Sequence, residues 1–220
     1  MDTAAASGSP SPDMSKYRVP ESDACYYIPD FITVEEEEYL IRKIQDSPPQ
    51  RWKQLSNRRL QLWGGELTSK NVLVAQPLPS FVDTYPDIIG RLEETGVFAK
   101  STHGKPNHII MNEYLPGQGI MPHQDGPAYF PVVSTLSLGS HTMFHYYRYS
   151  PDEDEAGPDA KTGTGRSIDP SPVLSLLLEP RSLVISERAL YTEHLHAIRE
   201  VKEDLIAPGD IPTVADLHVP

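Results

Sequence analysis

The sequence predicts a mainly β protein with flanking helices, of the sandwich, barrel or jelly-roll type. The chain holds 22 prolines and 14 glycines among 220 residues, a content that excludes a helical bundle or a coiled coil. From Asn107 onward, short β-type runs alternate with turn signals such as Pro116-Gly117 and Gly139-Ser140. Many short strands separated by turns are typical of these three β architectures.

Charge and composition exclude several classes of protein. The net charge of -12, from 31 acidic and 19 basic residues, indicates no overall attraction to nucleic acid, so such a ligand would need a local basic patch. The single cysteine, Cys25, excludes an internal disulfide framework and a zinc site made of four cysteines. No apolar run approaches the roughly 18 residues of a membrane span, and the first residues lack the apolar core of a signal peptide. We expect a soluble, monomeric protein of the cytoplasm, the nucleus or both, with no membrane partner.

Composition divides the chain into a tail, one folded domain and a second tail. Residues 1–20 are small, polar and proline-containing, and we predict that they are disordered. The folded domain is predicted over residues 21–198, with a disordered acidic insertion at 150–172 that carries six acidic and two basic residues. Residues 199–220 form an atypical C-terminal tail that does not resemble a core strand.

The first half of the predicted domain contains a strand and two helices. Ala24–Phe31 is aromatic and β-branched enough for a short strand. Thr33–Ile44 is the clearest helix, because Thr33 can cap it and Glu36 stands three residues on, as a capping box requires. We interpret its run of four glutamates as a solvated first turn at the positive end of the helix dipole. A second helix, interrupted by a proline, is predicted from about 80 to 94.

The second half of the chain supplies the predicted β core. Its β-type runs are separated by turn residues, and a further apolar, strand-like segment, Tyr191–Ile198, follows them. The runs are Asn107–Tyr114, Pro131–Leu138, Thr142–Tyr149, Val173–Leu178 and Ser182–Ser186.

One basic segment, residues 51–70, stands out from the acidic chain. It carries five basic residues against one acid and holds both tryptophans. Bases stack on aromatic rings and phosphates pair with arginine, so we predict that Arg58, Arg59 and Trp63 contact a nucleic-acid substrate. The alternative is that the tryptophans pack on the edge of the core and the charges are solvated, since tryptophan is usually largely buried.

The clearest candidate for a metal-binding motif is His123-Gln124-Asp125. On a strand, residues two apart share a face, so an imidazole nitrogen and a carboxylate oxygen there can share one metal. A third ligand must come from elsewhere, and His196 is the natural candidate. Two histidines and one carboxylate occupy one face of an octahedral metal and leave positions open, as Fe(II) requires, whereas Zn(II) favours a closed tetrahedron. A lone His-x-Asp is a weak signal, because in isolation it is usually a coincidence.

Four blocks of sequence, in a fixed order, carry a resemblance to a known family. They resemble the AlkB family of Fe(II)/2-oxoglutarate dioxygenases, and the resemblance runs from about Tyr26 to Ile198. It implies a double-stranded β-helix (jelly-roll) core. The blocks are Leu55–Gly65, Asn112–Asp125, Val133–Ser140 and Leu176–Leu183.

The resemblance also implies a site and its cofactors. Fe(II) would be held by His123, Asp125 and His196, the last of which falls at the family's Leu-His-Gly-Ile-type segment. Asn112 and Tyr114 would contact 2-oxoglutarate, and their spacing agrees because both side chains would face one interior. In the family, oxidation of 2-oxoglutarate by O2 is coupled to hydroxylation of a C–H bond, and a hydroxylated N-methyl group releases formaldehyde.

Several functions remain open at this stage. The first is demethylation or hydroxylation of alkylated DNA or RNA, and the second is the same chemistry on a protein side chain, which the net charge of -12 makes plausible. The third is a catalytically impaired metal-binding form. The fourth is a cupin-like zinc or manganese protein, which would share the jelly roll but not explain the family blocks.

The third alternative follows from a departure from the family. The family ends with a strand carrying a pair of arginines, the first of which clamps the distal carboxylate of 2-oxoglutarate. Here Arg199 is the only arginine after His196 in the sequence. It follows His196 by only three residues, which is too close for the arginine that clamps the carboxylate in the family. A bidentate arginine–carboxylate pair is hard to replace. We therefore expect an altered or truncated C-terminus, and a chain that binds iron but turns over 2-oxoglutarate poorly.

Overall fold

A computed structural model describes residues 12–20, 22–68, 70, 72–150 and 166–204 of the chain. Strands dominate these residues, and the helices are short except for the first. The helices are α1 (Val34–Gln45), α2 (Ser80–Asp83), α3 (Ile88–Glu94) and α4 (Ala189–Thr192), with 3-10 turns at Met14–Tyr17 and Pro49–Arg51. The strands are β1 (Cys25–Ile28), β2 (Lys53–Leu55), β3 (Arg58–Trp63), β4 (Gly65–Leu67), β5 (Leu73–Ala75), β6 (Ile109–Glu113), β7 (Ile120–His123), β8 (Val132–Leu136), β9 (Thr142–Tyr147), β10 (Leu174–Leu178), β11 (Leu183–Glu187) and β12 (Leu195–Ile198).

Two antiparallel sheets enclose the first hydrophobic core. One sheet has the strand order β1-β11-β8 and the other has the order β10-β9-β12-β7. Side chains from both sheets meet in one buried cluster, with Tyr27 and Val184 from the first and Phe144, Tyr146 and Leu176 from the second. Alternate residues of each strand supply this cluster because successive side chains point to opposite faces. The mainly β architecture with flanking helices is therefore as predicted.

The other face of the first sheet is covered by helices. Leu183 and Ile185 of β11 pack in a second buried cluster with residues of α1, α2 and α3, among them Leu40, Phe81 and Ile89. The predicted helix at 33–44 is present as α1, and Thr33 and Glu36 form its capping box. The helix predicted over 80–94 is present as α2 and α3, separated at the proline.

The interpretation of the glutamate run as a solvated first turn is wrong for two of its members. Glu36 and Glu37 are buried, at 6% and 8% exposure. Glu36 forms an ion pair with Arg91 of α3, and Glu37 pairs with Arg181 at 3.2 Å. Burial of a carboxylate is tolerated when such partners compensate its lost hydration. The helix dipole alone did not reveal this, because both arginines are distant in the sequence.

A third sheet, β2-β3-β6, is built from the basic segment and the first predicted β run. Its strands alternate, so the sheet has two chemically different faces. The core face packs on the second buried cluster through Trp63, Ile109 and Met111. The opposite face, here called the open face, carries Arg58, Leu60, Leu62, Ile110 and Asn112 by the register of β3 and β6.

Two predicted disordered stretches are partly described. The residues before 12 lie outside the description, but 12–20 are ordered, with a 3-10 turn and a fully buried Val19 that packs on the first core. Of the insertion, residues 151–165 lie outside the described residues. Residues 166–172 are ordered, because Ile168 bridges to Tyr149 and packs against a small apolar cluster. The remaining domain boundaries stay predictions.

The structure adds elements that the sequence did not indicate. Strands β2 to β5 and β7 were not predicted, and α4 was not predicted either. The other β runs appear as β6, β8, β9, β10 and β11, within a few residues of their predicted bounds. Among the described residues, no helix has the length and apolar character that crossing a membrane requires.

Candidate metal centre

The predicted ligands come together at the ends of two paired strands. β7 and β12 are antiparallel neighbours, and their register places His196 directly opposite His123. Asp125 lies two residues beyond His123, in the loop after the end of β7 rather than on the strand itself. One ligand atom from each of the three side chains lies within 4.8 Å of the others. The three side chains therefore converge, and a turn rather than strand alternation brings Asp125 to the cluster.

Neighbouring groups orient the two histidines. The Nδ1 of His123 lies 2.8 Å from the carbonyl oxygen of Met121, which leaves Nε2 as the free ring nitrogen. The ring of Phe144 stacks on His196 at 5.5 Å. Gln124, which also follows the end of β7, donates its amide N–H to the carbonyl oxygen of Thr192 at 3.0 Å.

Burial and charge set the protonation of the cluster. Burial lowers the pKa of His196 to about 4, although the Asp125 carboxylate opposes this shift and the His123 ring adds to it. The Nε2 of His196 lies 3.8 Å from Oδ1 of Asp125. A neutral imidazole offers a lone pair, so this ring is ready to ligate a cation at neutral pH.

Two tyrosines border the carboxylate. Burial raises the pKa of Tyr191 to about 12, and the Asp125 charge adds to this shift. The same two causes raise the pKa of Tyr129. The hydroxyl of Tyr191 donates to the carbonyl oxygen of Gly126 at 2.9 Å, and this hydrogen bond holds the loop that follows Asp125 in place. Both phenols are therefore neutral, and one of them positions the ligand loop.

The donor set fits ferrous iron. Two imidazole nitrogens and one carboxylate oxygen, all half-buried, form the 2-His-1-carboxylate set that leaves positions open on one side. Within the part of the chain that the structure describes, no other group of three such side chains converges. His194, only two residues from His196, does not belong to this group, and its Nδ1 contacts the carbonyl oxygen of Ala189 at 2.8 Å. His145 is buried, with Nδ1 2.8 Å from Ser175 Oγ.

The residues implied to contact 2-oxoglutarate lie at the end of β6. Asn112 is on the open face, and Tyr114 follows the strand directly. The Nε of Arg58 donates to Oδ1 of Asn112 at 3.0 Å. Burial raises the pKa of Tyr114 to about 12, and the Arg58 charge opposes this shift. Their contact with 2-oxoglutarate stays a prediction.

The three residues predicted to contact substrate are not brought together. Arg58 is on the open face of β3, whereas Arg59 and Trp63 are on its core face. Arg59 pairs with Glu113, with Nη2 2.7 Å from Oε1, and its guanidinium lies 4.0 Å over the ring of Trp52.

Trp63 has structural neighbours on both sides. Its ring meets Phe81 edge to face at 6.0 Å, and its Nε1 donates to Gln61 at 3.0 Å. The guanidinium of Arg51 lies 4.4 Å over the same ring. These contacts favour the alternative in which Trp63 packs on the core edge, and its contact with substrate stays a prediction.

Arg199 cannot serve as the family's clamp. Its Nε donates to the hydroxyl of Tyr147 at 3.0 Å. Tyr147 packs with Leu195 and Ala197, which alternate with His196 and so lie on the other face of β12. The sequence argument excluded Arg199 by spacing, and the structure gives the physical reason. The contact between Arg58 and Asn112 was missed, because the basic segment was not recognised as a strand beside β6.

Known proteins resemble this chain in sequence and in fold. A zebrafish protein, "Probable RNA/DNA demethylase ALKBH6", is 44% identical over 197 residues, which cover 89% of this chain and 78% of the relative. The Arabidopsis thaliana "Alkylated DNA repair protein ALKBH8 homolog" is 31% identical over 82% of this chain and 54% of its own length. A Xenopus tropicalis "tRNA (carboxymethyluridine(34)-5-O)-methyltransferase alkbh8" is 27% identical over 86% of this chain and 27% of its own length. No protein-family model matches the chain.

The solved structure of OsALKBH1 superposes on this one with a TM-score of 0.51, at 16% identity, over 82% of this chain and 87% of that one. This likeness confirms the predicted double-stranded β-helix fold. The four sequence blocks most resemble the sixth AlkB homologue of eukaryotes, and the zebrafish relative carries that name. The chain therefore belongs to the AlkB family, whose members are 2-oxoglutarate- and Fe(II)-dependent dioxygenases.

Proposed function

We propose that this chain is an Fe(II)- and 2-oxoglutarate-dependent dioxygenase that uses O2 to demethylate or hydroxylate alkylated nucleic acid. The observation that carries the proposal is the convergence of His123, Asp125 and His196 within 4.8 Å in a member of the AlkB family. The names of the zebrafish and Arabidopsis relatives refer to RNA, DNA or alkylated DNA, which supports a nucleic-acid substrate. Such a substrate places its action in the cytoplasm or the nucleus.

The residues of this chain would bind and orient the reactants. His123 offers Nε2 to the metal because Nδ1 is held at the carbonyl oxygen of Met121, and His196 is held by the stacked ring of Phe144. The buried Phe144 also excludes water from this side of the cluster. When bound, iron and its cosubstrate supply the oxidising power that hydroxylates a C–H bond. No side chain has to act as a general base, so the other histidines are free to be structural.

A panel of substrates tests this proposal. The chain, with Fe(II), ascorbate and 2-oxoglutarate, is incubated with N-methylated RNA, DNA and protein, and succinate and formaldehyde are measured. We expect both products with methylated RNA or DNA. Formaldehyde from the methylated protein alone would overturn the nucleic-acid part and favour the same chemistry on a protein side chain.

A catalytically impaired form is the second candidate, and one observation favours it. Arg199 is turned to Tyr147 on the face of β12 opposite to His196, so it does not supply the clamp for the distal carboxylate of 2-oxoglutarate. A buried carboxylate without its cationic partner is destabilised by several kcal/mol. Metal binding without any succinate formation would support this candidate and contradict the active enzyme.

A further inference from the structure

We propose that Arg58 is the residue of this chain that binds the distal carboxylate of 2-oxoglutarate. The inference rests on the proposed function and assigns Arg58 to the cosubstrate rather than to nucleic acid. It is carried by the position of Arg58 on the open face, by its hydrogen bond to Asn112, and by the contacts of the β2–β3 hairpin with β7 and β12.

The immediate surroundings of Arg58 are those of an anion site. Its Nε donates to Oδ1 of Asn112 at 3.0 Å, so the amide nitrogen of Asn112 remains available to donate to a ligand oxygen. The Nη groups of Arg58 have no carboxylate within 4 Å among the described residues, whereas Arg59 next to it is paired with Glu113. A half-buried guanidinium that keeps its planar fork unpaired is suited to bidentate recognition of a carboxylate.

The hairpin that carries Arg58 touches the strands that carry the metal ligands. The carbonyl oxygen of Asn57 accepts a hydrogen bond from the N–H of Gly119, immediately before β7. Only glycine fits at 119, because a Cβ there would lie 2.3 Å from the carbonyl oxygen of Ile198 in β12. The Asn57 side chain also donates to Glu200. Asn57, the residue before Arg58, is therefore held beside the start of β7 and the end of β12.

The distance from this anchor to the metal ligands suits a dicarboxylate. Gly119 and His123 are four residues apart along β7, which corresponds to roughly 13 Å of extended strand. A dicarboxylate bound to the metal at its keto-acid end covers part of this separation, and an extended arginine side chain covers the rest. Asn112, which the family resemblance assigns to the cosubstrate together with Tyr114, is in direct contact with Arg58.

The experiment compares two keto acids with each variant. 2-Oxoglutarate and 2-oxopentanoate share the keto-acid end and the chain length, but 2-oxopentanoate has a methyl group in place of the distal carboxylate. Both are titrated by calorimetry into the Mn(II)-loaded protein, using wild type, Arg58→Gln and Arg58→Lys. Arg199→Ala is the control, because Arg199 follows β12 and contacts Tyr147 on the face of that strand opposite to His196. Mn(II) affinity and the melting temperature of each variant report the integrity of the site and fold.

We expect Arg58→Gln to weaken 2-oxoglutarate binding by about 10- to 100-fold, the range for hydrogen bonds to a charged group. Its affinity for 2-oxopentanoate, its Mn(II) affinity and its melting temperature should be unchanged. Arg58→Lys should recover part of the loss, since it restores the charge but not the fork. Arg199→Ala should bind both keto acids as wild type does.

The outcomes that overturn only this inference are distinguishable from failure of the proposed function. Equal weakening of both keto acids would mean that Arg58 only supports the fold. If Arg58→Gln leaves 2-oxoglutarate affinity unchanged but weakens binding of single-stranded RNA, Arg58 contacts the nucleic-acid substrate, as the sequence predicts, and not the cosubstrate. If wild type binds Mn(II) but no 2-oxoglutarate, both proposals fail, whereas wild-type binding that Arg58→Gln leaves intact overturns only this one.

Discussion

The two faces of the β2-β3-β6 sheet carry similar residues that are held in different ways. On the core face, Arg59 is paired with Glu113 and stacked on Trp52, and Trp63 is packed against Phe81. On the open face, Arg58 contacts the amide of Asn112 and has no carboxylate partner among the described residues. Of these two adjacent arginines of β3, Arg59 is therefore a structural residue and Arg58 is a candidate ligand-binding residue.

This difference teaches that a local excess of charge does not define a binding surface. The basic segment has a net charge of +4 in a chain of net charge -12. Strand alternation divides that charge between two faces, and neighbouring acidic and aromatic side chains neutralise or cover much of it on one face. Changes on the core face should therefore act on stability, and changes on the open face should act on ligand binding.

The largest effect is expected at the metal centre. His196→Ala removes a ligand, and we expect Fe(II) or Mn(II) affinity to fall by more than about 100-fold, because even loss of a neighbour that orients a ligand costs 10- to 100-fold. His194→Ala is the matched control, since His194 lies two residues away and contacts Ala189 instead. Calorimetric titration of the metal measures both. An equal loss in the two variants would show that His196 is not a ligand.

Trp63→Ala should affect stability rather than ligand binding. We expect a loss of about 2–3 kcal/mol in the free energy of unfolding, because removing a large aromatic side chain from a packed cluster leaves a cavity. Trp63→Phe should lose less, since it keeps the edge contact with Phe81. Denaturant unfolding and RNA titration are the two measurements. Weakened RNA binding at unchanged stability would instead support Trp63 as a stacking platform.

The ionisation of Glu36 makes the stability of the fold depend on pH. Its hydrogen bonds with Arg91 lower its pKa, against the opposing effect of burial. A carboxyl whose pKa is lower in the folded state stabilises the fold above its ordinary pKa, and this contribution is lost as the pH falls through the folded-state value. Glu36→Gln should cost about 2 kcal/mol at neutral pH, because it removes the charge from the hydrogen bonds with Arg91 while glutamine can keep the capping box.

The matched control for Glu36 is Glu38→Gln, because Glu38 is exposed on the same helix. Unfolding curves from pH 7 down to acid pH compare the two variants with wild type. The stability of Glu36→Gln should depend less on acid pH than that of wild type, and Glu38→Gln should follow wild type. A wild-type pH dependence in Glu36→Gln would contradict the ion pair with Arg91.

The smallest effect is expected for Arg59→Ala. The Arg59–Glu113 pair is about one-third exposed on each side, and exposed pairs and cation–π contacts each contribute up to about 1 kcal/mol. We therefore expect a loss of about 1 kcal/mol in unfolding free energy and no change in 2-oxoglutarate affinity. RNA titrations at several salt concentrations test the remaining prediction of a substrate contact. A smaller salt slope in Arg59→Ala would show that Arg59 contacts phosphate.

The sequence predicted the parts of the fold and site that depend on local pattern. The capping box of α1, the β runs and the His-x-Asp motif are short-range signals. The apolar segment Tyr191–Ile198 offered the third ligand, and the family resemblance selected His196 within it. The direct pairing of His196 with His123 depends on the register of β12 with β7, which a single sequence does not reveal. The burial of Glu36 was missed because its partner, Arg91, is supplied by another helix.

Succinate formation tests the central claim most directly, namely that His123, Asp125 and His196 form the metal centre of a working dioxygenase. Wild type and Asp125→Ala are incubated with Fe(II), 2-oxoglutarate, ascorbate and methylated RNA, and succinate is measured over time. We expect succinate from wild type, formed together with formaldehyde, and none above background from Asp125→Ala. Equal succinate from both proteins, or none from an iron-loaded wild type, would contradict the account.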